Sequence, residues 1–144
     1  MLPTQGVRAS QLDINNARSG STIILENADG HIAMQLRDDT FKWGLFGGWS
    51  EPGETPDKTI LREIDEELGV ALNSDRLKFL HTFKFPLIGI ANVFHYRVHN
   101  ELDHAVLTEG ITFRFLTWSE IENKPIPSNH HQILTWYRSQ HLER

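Results

Sequence analysis

The sequence contains no cysteine, which excludes a disulfide framework, a thiolate nucleophile and a cysteine-based zinc site. It also lacks an apolar run long enough to cross a bilayer, and its N-terminal segment has no apolar core of the kind that a secretory signal carries. We therefore expect a cytoplasmic protein with no membrane partner. Basic residues are few, with 14 Lys and Arg against 19 Asp and Glu. Because nucleic-acid binders usually present a basic patch, we do not expect a nucleic-acid polymer as a partner.

The size and composition of the chain are those of one globular domain. The chain has 144 residues, of which 39% are hydrophobic and 23% are charged. We therefore predict a single domain over residues 1–144. Residues 1–19 have no clear periodicity, and we interpret them as an N-terminal arm or a short helix.

Several short apolar or alternating segments predict a β-sheet. Ser21–Glu26 and His31–Arg37 flank the turn sequence NADG, which predicts a hairpin. Residues 76–85 and 90–99 predict two further strands around PLIG, and Ile111–Trp118 predicts another. These strands lie on both sides of a central helical segment along the chain.

Two segments have the marks of helices. Pro56–Leu68 follows a good N-cap residue, Thr55, begins with the proline that a first helical position tolerates, and precedes a stop at Gly69. Apolar residues at helical spacing in 130–142 predict a C-terminal helix. Together with the strands, the helices predict an α/β fold in which a mixed sheet is sandwiched between helices.

The helix Pro56–Leu68 has an acidic surface. Glu63, Glu66 and Glu67 have the spacing i, i+3, i+4, which makes them neighbours on one side of the helix. Like charges at that spacing repel, so either solvent or a cation must compensate them. A solvated acidic face is the ordinary explanation. A glycine-rich loop directly before the helix favours the second one, because carboxylate oxygens are the ligands that Mg²⁺ and Mn²⁺ prefer.

The spacing of residues 47–70 resembles the Nudix box at every defined position. The resemblance is carried by Gly48, five residues, Glu54, seven residues, Arg62, Glu63, Ile64, Asp65, Glu66, Glu67, Leu68, Gly69 and Val70. It implies an α/β/α sandwich around a central mixed β-sheet. It also implies hydrolysis of a nucleoside diphosphate linked to another moiety, by attack of water on phosphorus.

The resemblance further implies roles for single residues. Glu66 and Glu67, with the carbonyl of Gly47, resemble the family's ligands for Mg²⁺ or Mn²⁺. Glu63 resembles either a further ligand or the general base. Divalent ions at such a site neutralise a diphosphate and lower the pKa of a bound water.

Two more residues are expected to support the chemistry. Arg62 resembles a residue that holds the carboxylates in place, and we expect it to pair with Glu54. Glu109, in LTEG, resembles a base or a metal-binding glutamate that some family members carry in a loop beyond the box. The alternative for Glu109 is a loop carboxylate in solvent.

Residues outside the box are candidates for binding the substrate. Trp43, Phe46 and Trp49 flank the glycines and can stack on a base or pack the loop on the core, and Trp49 is the one that we expect to be exposed. Arg37 is a candidate for a phosphate or sugar contact, with an ion pair to a neighbouring aspartate as the alternative. His95 and Arg97 share one face of a predicted strand and would contact a substrate if that face opened to the cleft. The histidines at 130 and 131 are expected at the surface.

The resemblance leaves the substrate open. A nucleoside triphosphate or a nucleotide sugar is the expected small-molecule partner, with ADP-ribose as an alternative. A ligand-sensing module without turnover is a second class of function, but such modules often lack box acids that this chain retains. The family is commonly dimeric, so a homodimer is left open.

Overall fold

The computed structural model describes residues 18–142, which form one seven-stranded sheet with helices on both faces. Residues 1–17, which include most of the predicted arm, lie outside the described residues. The strands and helices are β1 (Ser19–Glu26), β2 (Ile32–Leu36), β3 (Trp43–Gly44), β4 (Phe46–Trp49), α1 (Pro56–Leu68), β5 (Lys78–Phe85), β6 (Gly89–Arg97), β7 (Thr112–Leu116), α2 (Trp118–Asn123) and α3 (Ser128–Leu142), with a 3₁₀ turn at Ser74–Arg76.

The sheet is mixed, as predicted. Its main order is β3-β2-β1-β6-β5, while β4 pairs with β1 and β7 pairs with β2. Strands β1 and β6 are parallel, and the other strand pairs are antiparallel. The predicted hairpin is confirmed, since β1 and β2 pair antiparallel from Glu26 and Ile32. The pairing of β4 with β1 brings the glycine-rich segment into the centre of the sheet.

A hydrophobic core lies on each face of the sheet. On one face, α1 buries Ile60, Ile64 and Leu68 against strand residues such as Ile23 and Phe94. On the other face, residues of α2 and α3 pack against a second set of strand side chains, among them Ile24, Met34, Val93, Ile121, Ile133 and Leu134. Fully burying a side chain of this size contributes about 1.5–3 kcal/mol relative to leaving it exposed. The two cores confirm the α/β/α sandwich.

The helix α1 has the predicted bounds, whereas its N-cap contact and the end of one strand differ from the prediction. Gly69 ends α1 in the left-handed region at φ 68°, and its N–H donates to the carbonyl of Asp65, as a glycine stop should. Thr55 is extended at the N-cap, but within the described chain its side chain accepts no capping hydrogen bond. The predicted strand 111–118 ends at Leu116, because Thr117 and Glu120 form a capping box that begins α2.

No helix in the part of the chain that the structure describes is long and apolar enough to span a membrane.

Candidate active site

Arg62 joins the helix α1 to the loop before it. Its Nε and Nη2 donate to the two carboxylate oxygens of Glu54 at 2.8 and 3.0 Å, and Nη2 also donates to the carbonyl of Trp49 at 3.0 Å. The hydrogen bond from Arg62 is the main reason that the pKa of Glu54 falls to about 2. The Thr59 hydroxyl donates to the same carboxylate at 2.8 Å. The predicted pairing of Arg62 with Glu54 is therefore present.

The same guanidinium holds two of the helix carboxylates. Arg62 Nη1 donates to Glu63 Oε2 at 2.8 Å and to Glu66 Oε1 at 3.0 Å. Its bonds to Glu54 and Glu63 raise the pKa of Arg62 above its ordinary value, so the side chain stays charged. One cation thus orders three of the acids that the sequence places around it.

Gly48 lies directly against the carboxylate of Glu63. It pairs with Ser21 in the centre of the sheet, and a Cβ atom built on it would lie 2.3 Å from the carboxyl carbon of Glu63. No real Cβ contact is so short, so any side chain at this position would displace the carboxylate. Glycine at 48 therefore lets the Glu63 carboxylate lie directly against the backbone of β4.

Glu67 is the most perturbed acid of the cluster. Burial, followed by the charges of Glu63 and Glu109, raises the pKa of Glu67 to about 8. Its Oε2 is buried and has no hydrogen-bond partner within residues 18–142. A buried carboxylate oxygen without a partner is costly, and a proton or a cation can relieve it.

The loop that carries Glu109 is fastened to the end of α1. The backbone N–H of Thr108 donates to the carbonyl of Glu67 at 3.0 Å, and the Thr108 hydroxyl donates to the carbonyl of Glu66 at 3.0 Å. Glu109 is exposed, yet its charge raises the pKa of both Glu63 and Glu67. The structure thus brings Glu109 to the acidic cluster from more than 40 positions along the chain.

The carboxylates lie together on one side of α1. Among the described residues, no three His, Asp or Glu side chains are arranged to hold a metal together, and Arg62 engages Glu63 and Glu66. The donor set nevertheless fits a hard divalent cation. It supplies carboxylate oxygens, and one of them, Glu67 Oε2, is buried and has no partner in the described part of the chain.

A cavity of about 350 Å³ opens beside the cluster. Gly47 and Gly48 line it, as do both predicted substrate-binding residues, Arg37 and Trp49. Arg37 also makes the alternative contact, since its Nε lies 3.1 Å from Asp39 Oδ1. The hydrogen bond that Arg37 donates to Asp39 is the main reason that the pKa of Arg37 is raised, and the charges of Glu109 and Glu67 add to it.

Of the three aromatic residues near the glycines, two pack in the cores and Trp49 is the more exposed one, as predicted. Trp43 and Phe46 are buried in the two cores, whereas Trp49 is half-buried on the cavity wall. The guanidinium of Arg18 lies 4.2 Å from the centre of the Trp49 ring, and a Cβ on Gly89 would lie 2.9 Å from the ring. The ring of Trp49 is held by these neighbours, and a stacking role for it stays a prediction.

His95 and Arg97 were predicted to contact a substrate only if their face of the strand opened to the cleft, and that face does not open to the cavity. His95 Nε2 lies 2.8 Å from Glu26 Oε1, which also accepts a hydrogen bond from the Tyr137 hydroxyl at 2.5 Å. These contacts fasten α3 to the sheet. Neither His95 nor Arg97 lines the cavity.

The sequence analysis did not identify His130, Asn129 and Gln35, which also line the cavity. His130, which we expected at the surface, is half-buried with its ring against Gly44. Its Nδ1 accepts a hydrogen bond from the backbone N–H of Leu45 at 3.1 Å, and burial lowers its pKa to about 4. The signal in the sequence was Gly44, because a Cβ there would lie only 3.1 Å from the imidazole.

This chain resembles one known family model over most of its length and two known proteins over different shares of it. The NUDIX domain family model matches residues 17–139. The RNA pyrophosphohydrolase of Zymomonas mobilis subsp. mobilis is 32% identical over 130 residues, which cover 76% of this chain and 82% of that protein. The nucleoside triphosphatase NudI of Enterobacter sp. is 36% identical over 59 residues, which cover 38% of this chain and 42% of that protein.

The fold has solved counterparts. A MutT structure, described for Aliivibrio salmonicida and Vibrio cholerae, superposes with a TM-score of 0.72 and covers 85% of this chain and 98% of that chain. Its sequence is 19% identical to this one, so this likeness concerns the fold alone.

Proposed function

The chain belongs to the Nudix family and is a hydrolase of pyrophosphate bonds, and we propose that its substrate is a nucleoside diphosphate linked to another moiety. A nucleoside triphosphate or a nucleotide sugar is the favoured form. The observation that carries the proposal is the buried Oε2 of Glu67, which lacks a partner among residues 18–142 and lies beside Glu63 and Glu109. An acidic cluster next to a cavity is suited to a polyphosphate only when divalent cations accompany it.

The residues for a divalent ion follow from this cluster. Glu66 and Glu67, with Glu63 and the carbonyl of Gly47, would hold Mg²⁺ or Mn²⁺. When bound, such an ion neutralises phosphate charge and acidifies a water molecule. Binding requires Arg62 to share or release Glu63 and Glu66, which it now engages at 2.8 and 3.0 Å.

The remaining polar residues position the reacting groups. Arg62 and Glu54 fix the loop to α1, so that the glycine backbone and the carboxylates keep one geometry. The general base is Glu63 or Glu109. Both are close enough to Glu67 to raise its pKa, and each is a candidate to take the proton of the attacking water.

The cavity bears on the size of the substrate. A volume of about 350 Å³ is at the small end of the range for ligand sites, which favours a small nucleotide. One relative is named as an RNA pyrophosphohydrolase, so RNA with a 5′-triphosphate belongs in any test. The net charge of −5 favours a small nucleotide over a polymer.

Three further features complete the proposal. We propose that residues 1–144 act as one Nudix domain, of which the family model covers 17–139. A homodimer and a cytoplasmic location accompany it as predictions from the sequence. Light scattering of the purified chain tests whether it forms a homodimer.

A substrate panel tests the proposed function. The purified protein with Mg²⁺ is incubated with the common nucleoside triphosphates, nucleotide sugars, ADP-ribose, dinucleotide polyphosphates and 5′-triphosphorylated RNA, and the products are separated by chromatography. We expect cleavage of a phosphoric anhydride bond in a nucleoside triphosphate or a nucleotide sugar. Tight binding of one compound without any cleavage would instead indicate a ligand-sensing module.

A further inference from the structure

The loop that carries Glu109 also caps the end of α1. The last four carbonyls of a helix have no partner inside the helix. In α1 the first of these four, that of Asp65, accepts the N–H of Gly69 at 2.8 Å. The other three accept N–H or O–H groups of the loop at 3.0 to 3.1 Å, and they belong to Glu66, Glu67 and Leu68. The loop thus supplies partners that the helix itself cannot.

Two of these three hydrogen bonds come from Thr108. Its hydroxyl donates to the carbonyl of Glu66 at 3.0 Å, and its N–H donates to the carbonyl of Glu67 at 3.0 Å. The third comes from the N–H of Val106, which donates to the last carbonyl of α1 at 3.1 Å. Thr108 directly precedes Glu109 in the chain. One threonine therefore ties the backbone of two acids of the cluster to the residue before Glu109.

The chain on the other side of Glu109 is anchored to β2. The N–H of Ile111 donates to the carbonyl of Leu36 at 2.8 Å. Gly110 lies between them in the left-handed region at φ 86°, and a Cβ on it would lie 2.9 Å from the same carbonyl. Only glycine fits this close approach without strain. Glu109 is therefore held between an anchor on α1 and an anchor on β2.

The two anchors hold Glu109 against electrostatic repulsion. Glu109 is exposed, and its negative charge contributes to raising the pKa of Glu63 and of Glu67. Like charges favour a loop position farther from α1, so the hydrogen bonds of Thr108 oppose that movement. One hydrogen bond of this kind shifts such an equilibrium by about two- to tenfold. Because Ile111 stays fastened to β2, loss of the Thr108 hydroxyl would displace Glu109 without releasing the whole loop.

We propose that Thr108 is a positioning residue, which holds the Glu109 carboxylate in place beside Glu66 and Glu67 and acts on the reaction through Glu109. The inference rests on the proposed function and on a part for Glu109 in it. The alternative is that Thr108 only stabilises α1 by capping its end. Loss of such a cap lowers the melting temperature and leaves kcat of the folded enzyme unchanged.

Three substitutions separate these two roles. Thr108→Val removes the hydroxyl and keeps the size and branching of the side chain, while the N–H still donates to Glu67. Thr108→Ser keeps the hydroxyl and is the conservative variant. Thr135→Val makes the same change at an exposed threonine on α3 and is the matched control. Thermal unfolding of every variant establishes that it is folded.

The rates are measured with the preferred nucleotide, with each Thr108 variant made both in the wild type and in Glu109→Gln. We expect Thr108→Val to lower kcat by about tenfold with little change in KM, because a misplaced group acts mainly on the transition state. Thr108→Ser should retain most of the activity, and Thr135→Val should match the wild type.

The double variant decides whether Thr108 acts through Glu109. In Glu109→Gln, adding Thr108→Val should lower kcat by less than about twofold, because the group that Thr108 positions is already lost. The same loss with and without the Glu109 carboxylate overturns the proposal. So does an unchanged kcat in Thr108→Val with a lower melting temperature, which is the result for a helix cap alone.

Hydrogen exchange of the metal-free protein, followed by mass spectrometry, gives a readout that needs no turnover. We expect residues 106–111 to exchange about two- to tenfold faster in Thr108→Val than in the wild type, and at the wild-type rate in Thr108→Ser and Thr135→Val. If the wild type cleaves no nucleotide, the proposed function fails, and these rates still decide whether the Thr108 hydroxyl anchors the loop. Equal exchange in the wild type and Thr108→Val overturns the anchor and the positioning role with it.

Discussion

Arg62 Nε lies 2.8 Å from Glu54 Oε2, and Arg62 Nη2 lies 3.0 Å from Glu54 Oε1. This two-point contact spans the loop and the second turn of α1, and it fixes the distance between the glycine backbone and the helix carboxylates. The backbone N–H of Glu51 also donates to Glu54 at 3.0 Å, so the loop closes on itself around the same carboxylate. The geometry of the acidic cluster therefore depends on one arginine.

Replacing Arg62 with lysine tests that dependence. A single ammonium group cannot make the paired contact with Glu54 and also reach the Trp49 carbonyl, Glu63 and Glu66. We expect kcat/KM of Arg62→Lys to fall about ten- to a hundredfold through misplaced groups, with a lower melting temperature. Arg114→Lys, which changes an exposed arginine paired with Glu120, is the matched control. Equal activity in both variants would mean that the contacts of Arg62 have no role in catalysis.

Glu66→Gln and Glu67→Gln test the carboxylates that we assign to the metal. Each should reduce kcat by about a hundredfold or more, which corresponds to a few kcal/mol of lost electrostatic stabilisation. The fold should survive, because each change removes repulsion on α1. Asp65→Asn alters an exposed acid of the same helix and serves as the control. Wild-type rates in the two glutamine variants would identify the acids as a solvated surface.

The raised pKa of Glu67 predicts how stability changes with pH. Its folded-state value of about 8 exceeds the ordinary 4.5, so the protonated carboxyl favours the native state without metal. That contribution is complete below about pH 4.5 and is lost as the pH rises through about 8. Without metal, Glu67→Gln should therefore match the wild type near pH 5 and unfold several degrees higher near pH 9. A constant difference in melting temperature across this range would mean that the pKa of Glu67 is not raised in the folded protein.

The general base is decided by comparing Glu63→Gln with Glu109→Gln. A general base contributes about a hundred- to ten-thousandfold, and its loss lowers kcat while KM changes little. If Glu63 carries a large loss and Glu109 less than about threefold, the base lies on the helix, and Glu109 is an exposed loop acid. The reverse result assigns the base to the loop that Thr108 fastens to α1. Heavy losses in both would mean that the two acids share one water.

The sequence was sufficient where spacing and local conformation determine the structure. The α1 helix, its glycine stop and the pairing of Arg62 with Glu54 all follow from residues close in the chain. The box also predicts which acids are neighbours, since helical geometry places them there. The strands of the hairpin follow from alternation and a turn.

The sequence was insufficient where distant segments meet. His130 is half-buried because α3 packs it over Gly44, a contact between residues 86 positions apart. Gln35 lies on the face of β2 opposite to Ile32, Met34 and Leu36, and only the tertiary fold closes a cavity over it. The elevated pKa of Glu67 likewise comes from burial, which the sequence alone does not reveal.

The central claim is that this acidic cluster acts on a phosphoric anhydride bond through divalent ions. The most direct measurement follows the preferred nucleotide by phosphorus NMR with Mg²⁺ or Mn²⁺, then with excess chelator, and then with the metal restored. We predict turnover with either ion, no turnover in chelator, and recovery when metal is returned, with Glu67→Gln inactive throughout. Full turnover in excess chelator would contradict the account.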